Sequence, residues 1–194
     1  MGNPAGARAK GRRGAAVKRV AFIPRFIRRW FRKPIDGLRQ FRAVEAGVLY
    51  RCGQPAPEDV RTVIESHGIR TVVSLRGMRE EEDSDAWEPA ERAICEQLGV
   101  RFITLPSNHR NPPTREQLEQ FLSLLRDPES RPVLVHCRLG RQRTGMFCGL
   151  FRVFEQGWTA EAALEEMDAL GFDSGHRRHQ ALLRAFRELA RERG

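Results

Sequence analysis

The sequence predicts an α/β fold: a single domain with a central, mostly parallel sheet flanked by helices. Three observations predict it. Strand-like and helix-like segments alternate from Phe41 onward, the pattern that sets parallel strands side by side with helices on both faces. One short run, Val133-Leu134-Val135, is wholly apolar, as a strand covered on both faces requires. Finally, the chain has 194 residues, 40% of them hydrophobic and 30% charged. That is enough for one core, and no apolar run approaches the roughly 20 residues that span a bilayer.

Residues 1–19 are rich in Gly, Ala, Arg and Lys and bury too little to order themselves, so they are expected to form a disordered arm. Residues 20–33 differ. After Pro24, Phe26, Ile27, Trp30 and Phe31 fall on one helical face and Arg25, Arg28, Arg29 and Arg32 on the other. This is the composition of an interfacial amphipathic helix, and equally of a helix packed on the domain with its arginines in water. Residues 1–40 are therefore an N-terminal arm, and 41–194 the folded domain. Within that domain, Val48-Leu49-Tyr50 reads as a strand, and Pro57 to His67 as a helix closed by Gly68. Thr71 to Leu75 is a β-branched strand, and Arg76 to Asp85 a charged loop. Ala86 to Leu98 is a helix closed by Gly99, and Val100 to Leu105 a strand. Thr114 with Gln117 forms a capping box for a helix to Arg126. The apolar strand 132–136 is succeeded by helices over 144–156, 159–170 and 177–193.

Charge is unevenly distributed. The net charge is +9, but residues 1–42 hold 13 Lys or Arg and one acid, which leaves the remainder slightly acidic. A nucleic-acid-binding body would carry the basic patch itself, so no nucleic-acid partner is expected. The four cysteines, Cys52, Cys95, Cys137 and Cys148, are widely spaced with no CxxC pair. They read as reduced thiols in a cytoplasmic protein, with no metal site and no cofactor. The arm adds the expectation of peripheral membrane contact through residues 20–33.

The chemistry concentrates in His136-Cys137-Arg138-Leu139-Gly140-Arg141-Gln142-Arg143-Thr144-Gly145. The stretch lies between an apolar strand and an apolar helix, where ligands bind in open α/β sheets. A loop there can aim successive N–H groups at one anion, with the helix dipole behind them. The same field lowers the pKa of a thiol, making Cys137 a candidate nucleophile. Arg143 can hold two phosphate oxygens with its planar fork, Gly140 permits the bend, and Arg138, Leu139, Arg141 and Gln142 complete the phosphate-binding loop. Thr144 can donate its hydroxyl to the sulfur, and His136 can orient the loop.

His-Cys-x5-Arg-Thr resembles the signature of the cysteine-dependent protein tyrosine and dual-specificity phosphatases. Two further stretches, Leu49-Tyr50-Arg51-Cys52-Gly53-Gln54-Pro55 and Gly68-Ile69-Arg70-Thr71-Val72-Val73-Ser74-Leu75-Arg76, are similar to the opening strand and second strand of compact bacterial dual-specificity-like phosphatases, with Cys52 where Ser is usual. The resemblance covers about residues 43–185. It implies a dual-specificity phosphatase-like fold, a phosphocysteine intermediate on Cys137, phosphate binding by Arg143 and the loop amides, and no metal. Bases one and four after the nucleophile, here Arg138 and Arg141, also occur in relatives acting on phosphoinositides, phosphatidylglycerophosphate or inositol pyrophosphates. The expected substrate is therefore a phosphoprotein or a polyanionic phospholipid or inositol phosphate.

One departure stands out. The family supplies a general-acid Asp from the loop after the strand ending at Leu105, but Pro106 to Pro113 contains no Asp or Glu. Asn108 falls about where the acid belongs, and an amide cannot protonate a leaving group. His109, Asp83 and Asp85 are the candidate acids. Two rival functions remain open. One is a rhodanese-like sulfurtransferase, whose loops are typically one residue shorter. The other is a catalytically weak phosphate-binding protein.

Overall fold

The computed structural model describes residues 38–77 and 87–192. Residues 1–37 of the arm, with its segment 20–33, and Asp83 and Asp85 lie outside the described residues. Among the described residues, five strands and six helices run in the order β1 (Arg42–Glu45), β2 (Leu49–Gly53), α1 (Pro57–His67), β3 (Thr71–Ser74), α2 (Trp87–Gln97), β4 (Arg101–Thr104), α3 (Arg115–Arg126), β5 (Val133–Cys137), α4 (Gln142–Gln156), α5 (Ala160–Ala169) and α6 (Gln180–Arg191). One turn of 3₁₀ helix, Arg177–His179, precedes α6. The last expected helix, over 177–193, therefore begins as this separate turn.

The sheet order is β1-β2-β5-β3-β4, with β1 antiparallel to β2 and every other pair parallel. The sequence reading did not include β1, which alternates half-buried and exposed residues at the sheet edge. The central position falls to β5, whose Val133, Leu134 and Val135 are fully buried. The apolar run is thus explained: each of its residues meets a packed face.

Side chains alternate across β5, and this divides the molecule. Val133, Val135 and Cys137 join the larger core, where Phe121 of α3, Phe147 of α4 and Phe186 of α6 pack together. Leu134 joins the smaller core with Val60, Val63 and Ile64 of α1 and Cys95 of α2. In the larger core the Phe121 and Phe147 rings meet edge to face, 5.1 Å between centroids. The end of β5 therefore presents two consecutive residues to opposite sides of the sheet, His136 toward α2 and Cys137 toward α4. Helix α3 forms as its capping box predicts. Gln117 N–H donates to Thr114 Oγ1, and Thr114 N–H donates to Gln117 Oε1. The Gln117 amide also donates to the Pro106 carbonyl at 2.9 Å, tying the loop after β4 to the start of α3.

Candidate active site

Residues 138–141 carry the chain from β5 into α4, which begins at Gln142, two residues earlier than the composition suggests. Gly140 adopts φ +65°, and a Cβ there would sit 2.5 Å from the Cys52 carbonyl group and the Gly53 nitrogen. Glycine is required both by the left-handed backbone and by the close approach to β2. The end of β2 also takes two loop carbonyls. Gln54 N–H donates to the Arg138 carbonyl at 3.2 Å, and Arg51 Nη2 donates to the Gly140 carbonyl at 2.6 Å. The first-turn N–H groups of α4 have no carbonyl within their own helix to bond, and they carry the positive end of its dipole.

Cys137 is 2% exposed. Burial alone would push its thiol up. The Arg143 guanidinium, the Thr144 hydroxyl and the backbone N–H groups of Thr144 and Gly140 overcome that and hold it below the ordinary thiol value. Arg143 is itself fixed, its Nη1 donating to the Leu75 carbonyl at 3.2 Å and the Ser107 carbonyl at 3.1 Å. Those carbonyls close β3 and open the loop after β4, so three strand ends converge on one guanidinium. Thr144 is fully buried, and its hydroxyl acts on the Cys137 thiol, helping to hold it below the ordinary value.

On the other side of β5, His136 is fully buried and its Nε2 lies 3.1 Å from Glu91 Oε1 of α2. That is ion-pair distance, although the angle falls outside a formed hydrogen bond. The second Glu91 oxygen accepts from Gln54 Nε2 at 2.9 Å, and Gln54 Oε1 accepts from Arg76 Nη1 at 2.7 Å. Burial pushes the Glu91 carboxyl up, but His136, Gln54 and Arg76 more than offset this and hold it below the usual carboxylate range. A polar chain thus runs from the residue before the nucleophile, through α2, to the end of β3.

The structure therefore brings together Cys137, Gly140, Arg143 and Thr144, and places His136 on the opposite face of the sheet against Glu91. Arg138, Leu139 and Arg141 are exposed on the loop, with Gln142 half-buried. The stem of Arg141 packs on Gly171. His109 is exposed on the turn after β4, and Asn108 builds that turn, its Oδ1 accepting from the N–H groups of Arg110 and Asn111 at 2.8 Å each. Asn108 thus has a conformational role in place of a proton-donating one. Sequence reasoning gave no role to Arg51, Gln54 or Glu91. Two signals were present: an arginine inside an otherwise apolar strand, and a glutamate four residues before Cys95 on the inward face of α2. Among the described residues no three of His, Cys, Asp or Glu converge as metal donors.

Comparison with known proteins bears on this geometry. A family model described as a DSP-PTPase phosphatase fused to NAD+ kinase matches residues 36–185. The chain belongs to that family. The dual specificity protein phosphatase TpbA of Pseudomonas aeruginosa is 34% identical to this DSP-PTPase domain over 124 residues, which is 64% of this chain and 51% of the relative. The inositol diphosphatase DSP3 of Arabidopsis thaliana is 29% identical over 126 residues, 65% of this chain and 59% of the relative. The chain spans about half the length of the TpbA sequences it matches. A crystal structure of TpbA superposes with a TM-score of 0.58 at 28% identity, covering 84% of this chain and 94% of that one. The catalytic domain of the Saccharomyces cerevisiae PP-IP phosphatase SIW14 superposes at 0.60 with 18% identity, covering 78% and 91%, and shows the shared fold.

Proposed function

We propose that the domain hydrolyses phosphoric monoesters through a phosphocysteine on Cys137. One observation carries this reading: of four buried thiols, Cys137 alone is held below its ordinary value, and it faces a fixed arginine and a helix N-terminus. In the first step the Cys137 thiolate forms an S–P bond, the ester P–O bond breaks, and the leaving oxygen takes up a proton. In the second, water attacks phosphorus, the S–P bond breaks, and phosphate leaves with the thiolate restored. Arg143 and the loop amides stabilise the charge on the transferring oxygens. Thr144 stabilises the departing sulfur, and His136, held against Glu91, orients the loop. The phosphatase family match also removes the ground for the sulfurtransferase reading.

Substrates with more than one anionic group are favoured by Arg138 and Arg141, exposed on the loop that follows Cys137. Relatives named as a dual specificity protein phosphatase and an inositol diphosphatase bracket that range, and a cysteine-to-serine form of TpbA has been crystallised with pTyr. With no carboxylate in the 106–113 loop, aryl phosphates with good leaving groups turn over faster than alkyl phosphates. The test is a panel of an activated aryl phosphate, phosphotyrosine peptide, inositol pyrophosphate and phosphoinositide vesicles, with wild type, Cys137→Ser and His109→Ala. Loss of all turnover in Cys137→Ser is expected. An alkyl rate unchanged in His109→Ala removes His109 as the acid. Turnover surviving in Cys137→Ser overturns the reading. The 1–194 chain and a residue 38–194 form on the same vesicles test membrane contact by the arm.

A further inference from the structure

Arg51 is the largest fully buried side chain among the described residues, 1% exposed in the otherwise apolar or half-buried strand β2. Its Nη2 reaches the Gly140 carbonyl, its Nε has no partner, and no carboxylate forms an ion pair with it among the described residues. Directly opposite in the β1–β2 register stands a second cation, Arg42. The Arg42 guanidinium is held below its ordinary value first by burial and then by repulsion from Arg51, with Glu166 acting against them. A buried guanidinium with no carboxylate paired to it costs stability, so packing alone is a poor explanation for this arginine.

The geometry supplies another. In a trans peptide the C=O and the following N–H point in opposite directions. By drawing the Gly140 carbonyl down onto β2, Arg51 turns the Arg141 N–H the other way, away from β2. Gln54 N–H does the same to the Arg138 carbonyl, and so to the Leu139 N–H. The end of β2 thereby sets two loop amides in the orientation that an anion needs.

We propose that Arg51 is a positioning residue for the phosphate loop: it aims the loop amides, and a bound phosphate is the counter-charge that its burial lacks. This rests on the anion-binding half of the proposed function and is independent of turnover. The test is calorimetric binding of inorganic tungstate to wild type, Arg51→Met and Arg51→Lys, beside the melting temperature without ligand and the kcat and KM for an aryl phosphate. Arg51→Met loses on the order of ten- to a hundredfold in tungstate affinity, the weight of one charge-assisted hydrogen bond. Its ligand-free melting temperature holds or rises, and KM rises more than kcat falls. Arg51→Lys keeps the charge without the planar fork and falls between. Tungstate affinity unchanged in folded Arg51→Met overturns the proposal, whatever the melting temperature does. If Arg51→Met does not fold, unchanged affinity in Arg51→Lys overturns it instead. Wild type that binds no tungstate overturns this inference and the phosphate-site reading together, whereas binding without turnover challenges only the hydrolase reading.

Discussion

Cys52 and Cys137 sit at the ends of adjacent parallel strands, one step apart in register, and both are buried. Their thiols move in opposite directions. Cys52 is pushed well above its ordinary value, first by burial and then by Glu91, with only Arg51 acting against them to a lesser extent. Cys137 is pulled below it because Arg143 and the donors of the loop outweigh burial. Cys95 and Cys148 behave like Cys52, pushed up to about 12 and about 11, with burial the leading cause in each. Strand position and burial do not make a nucleophile here. The residues just after Cys137 do: a loop closed on itself and a helix that starts beneath it.

The largest effect comes from removing the charge that separates the two thiols. Arg143→Met lowers kcat/KM for an aryl phosphate by roughly a hundred- to a thousandfold. It also moves the pH at which Cys137 alkylates upward, toward the behaviour of Cys52. An alkylation profile identical to wild type would show that Arg143 does not set the thiol. Gly140→Ala comes next. It places a left-handed φ on a residue with a side chain and drives that Cβ into β2, costing about 1–3 kcal/mol of stability. It also opens the loop, so activity falls with the melting temperature. A fully active, equally stable variant would contradict the loop geometry.

Glu91→Gln probes the Cys52 side of the sheet and costs about 1–3 kcal/mol near neutral pH. Because the folded carboxyl lies below its unfolded value, its contribution to stability is fully present above that unfolded value and is lost as pH falls through the folded one. Wild type therefore loses its advantage over Glu91→Gln in acid denaturation measured from pH 7 downward. A gap between the two that stays constant with pH would show that the carboxylate is not held by His136, Gln54 and Arg76. The smallest effect is at Cys52 itself. Cys52→Ala leaves kcat/KM within about twofold, and iodoacetamide at neutral pH modifies Cys137 while Cys52, Cys95 and Cys148 react only after unfolding. Peptide mapping of the alkylated protein reads this directly, and Cys52 labelled alongside Cys137 would collapse the contrast.

The same contrast explains what the sequence disclosed. Cys137, Gly140, Arg143 and Thr144 lie within eight consecutive residues, so their convergence is local and legible. The alternation of Val133, Leu134 and Val135 with helical segments displayed the sheet for a similar reason, since periodicity is a property of neighbours. Arg51 reaches Gly140 across 89 positions and Gln54 reaches Glu91 across 37. No spacing rule ties such pairs together, because only the folded sheet order puts β2 beside β5 and α2 above them. Strand β1 went unread because a four-residue edge strand with half-buried alternation carries little apolar signal. Asn108 was seen as a missing acid, while its function in the turn depends on backbone N–H groups that composition does not reveal.

The sheet order has one consequence for how the reactive thiol comes into being. Strand β5 is inserted between β2 and β3, strands that precede it by some 80 and 60 positions in the chain. Pairings of such long sequence separation form late and slowly. Until β5 takes its place, β2 and β3 have open inner edges, Gly140 has no strand to close against, and Arg143 has no carbonyls to hold it. A growing or partly unfolded chain therefore displays four ordinary thiols. Nucleophilicity requires that central pairing, so the loss of reactive Cys137 reports the opening of the sheet centre.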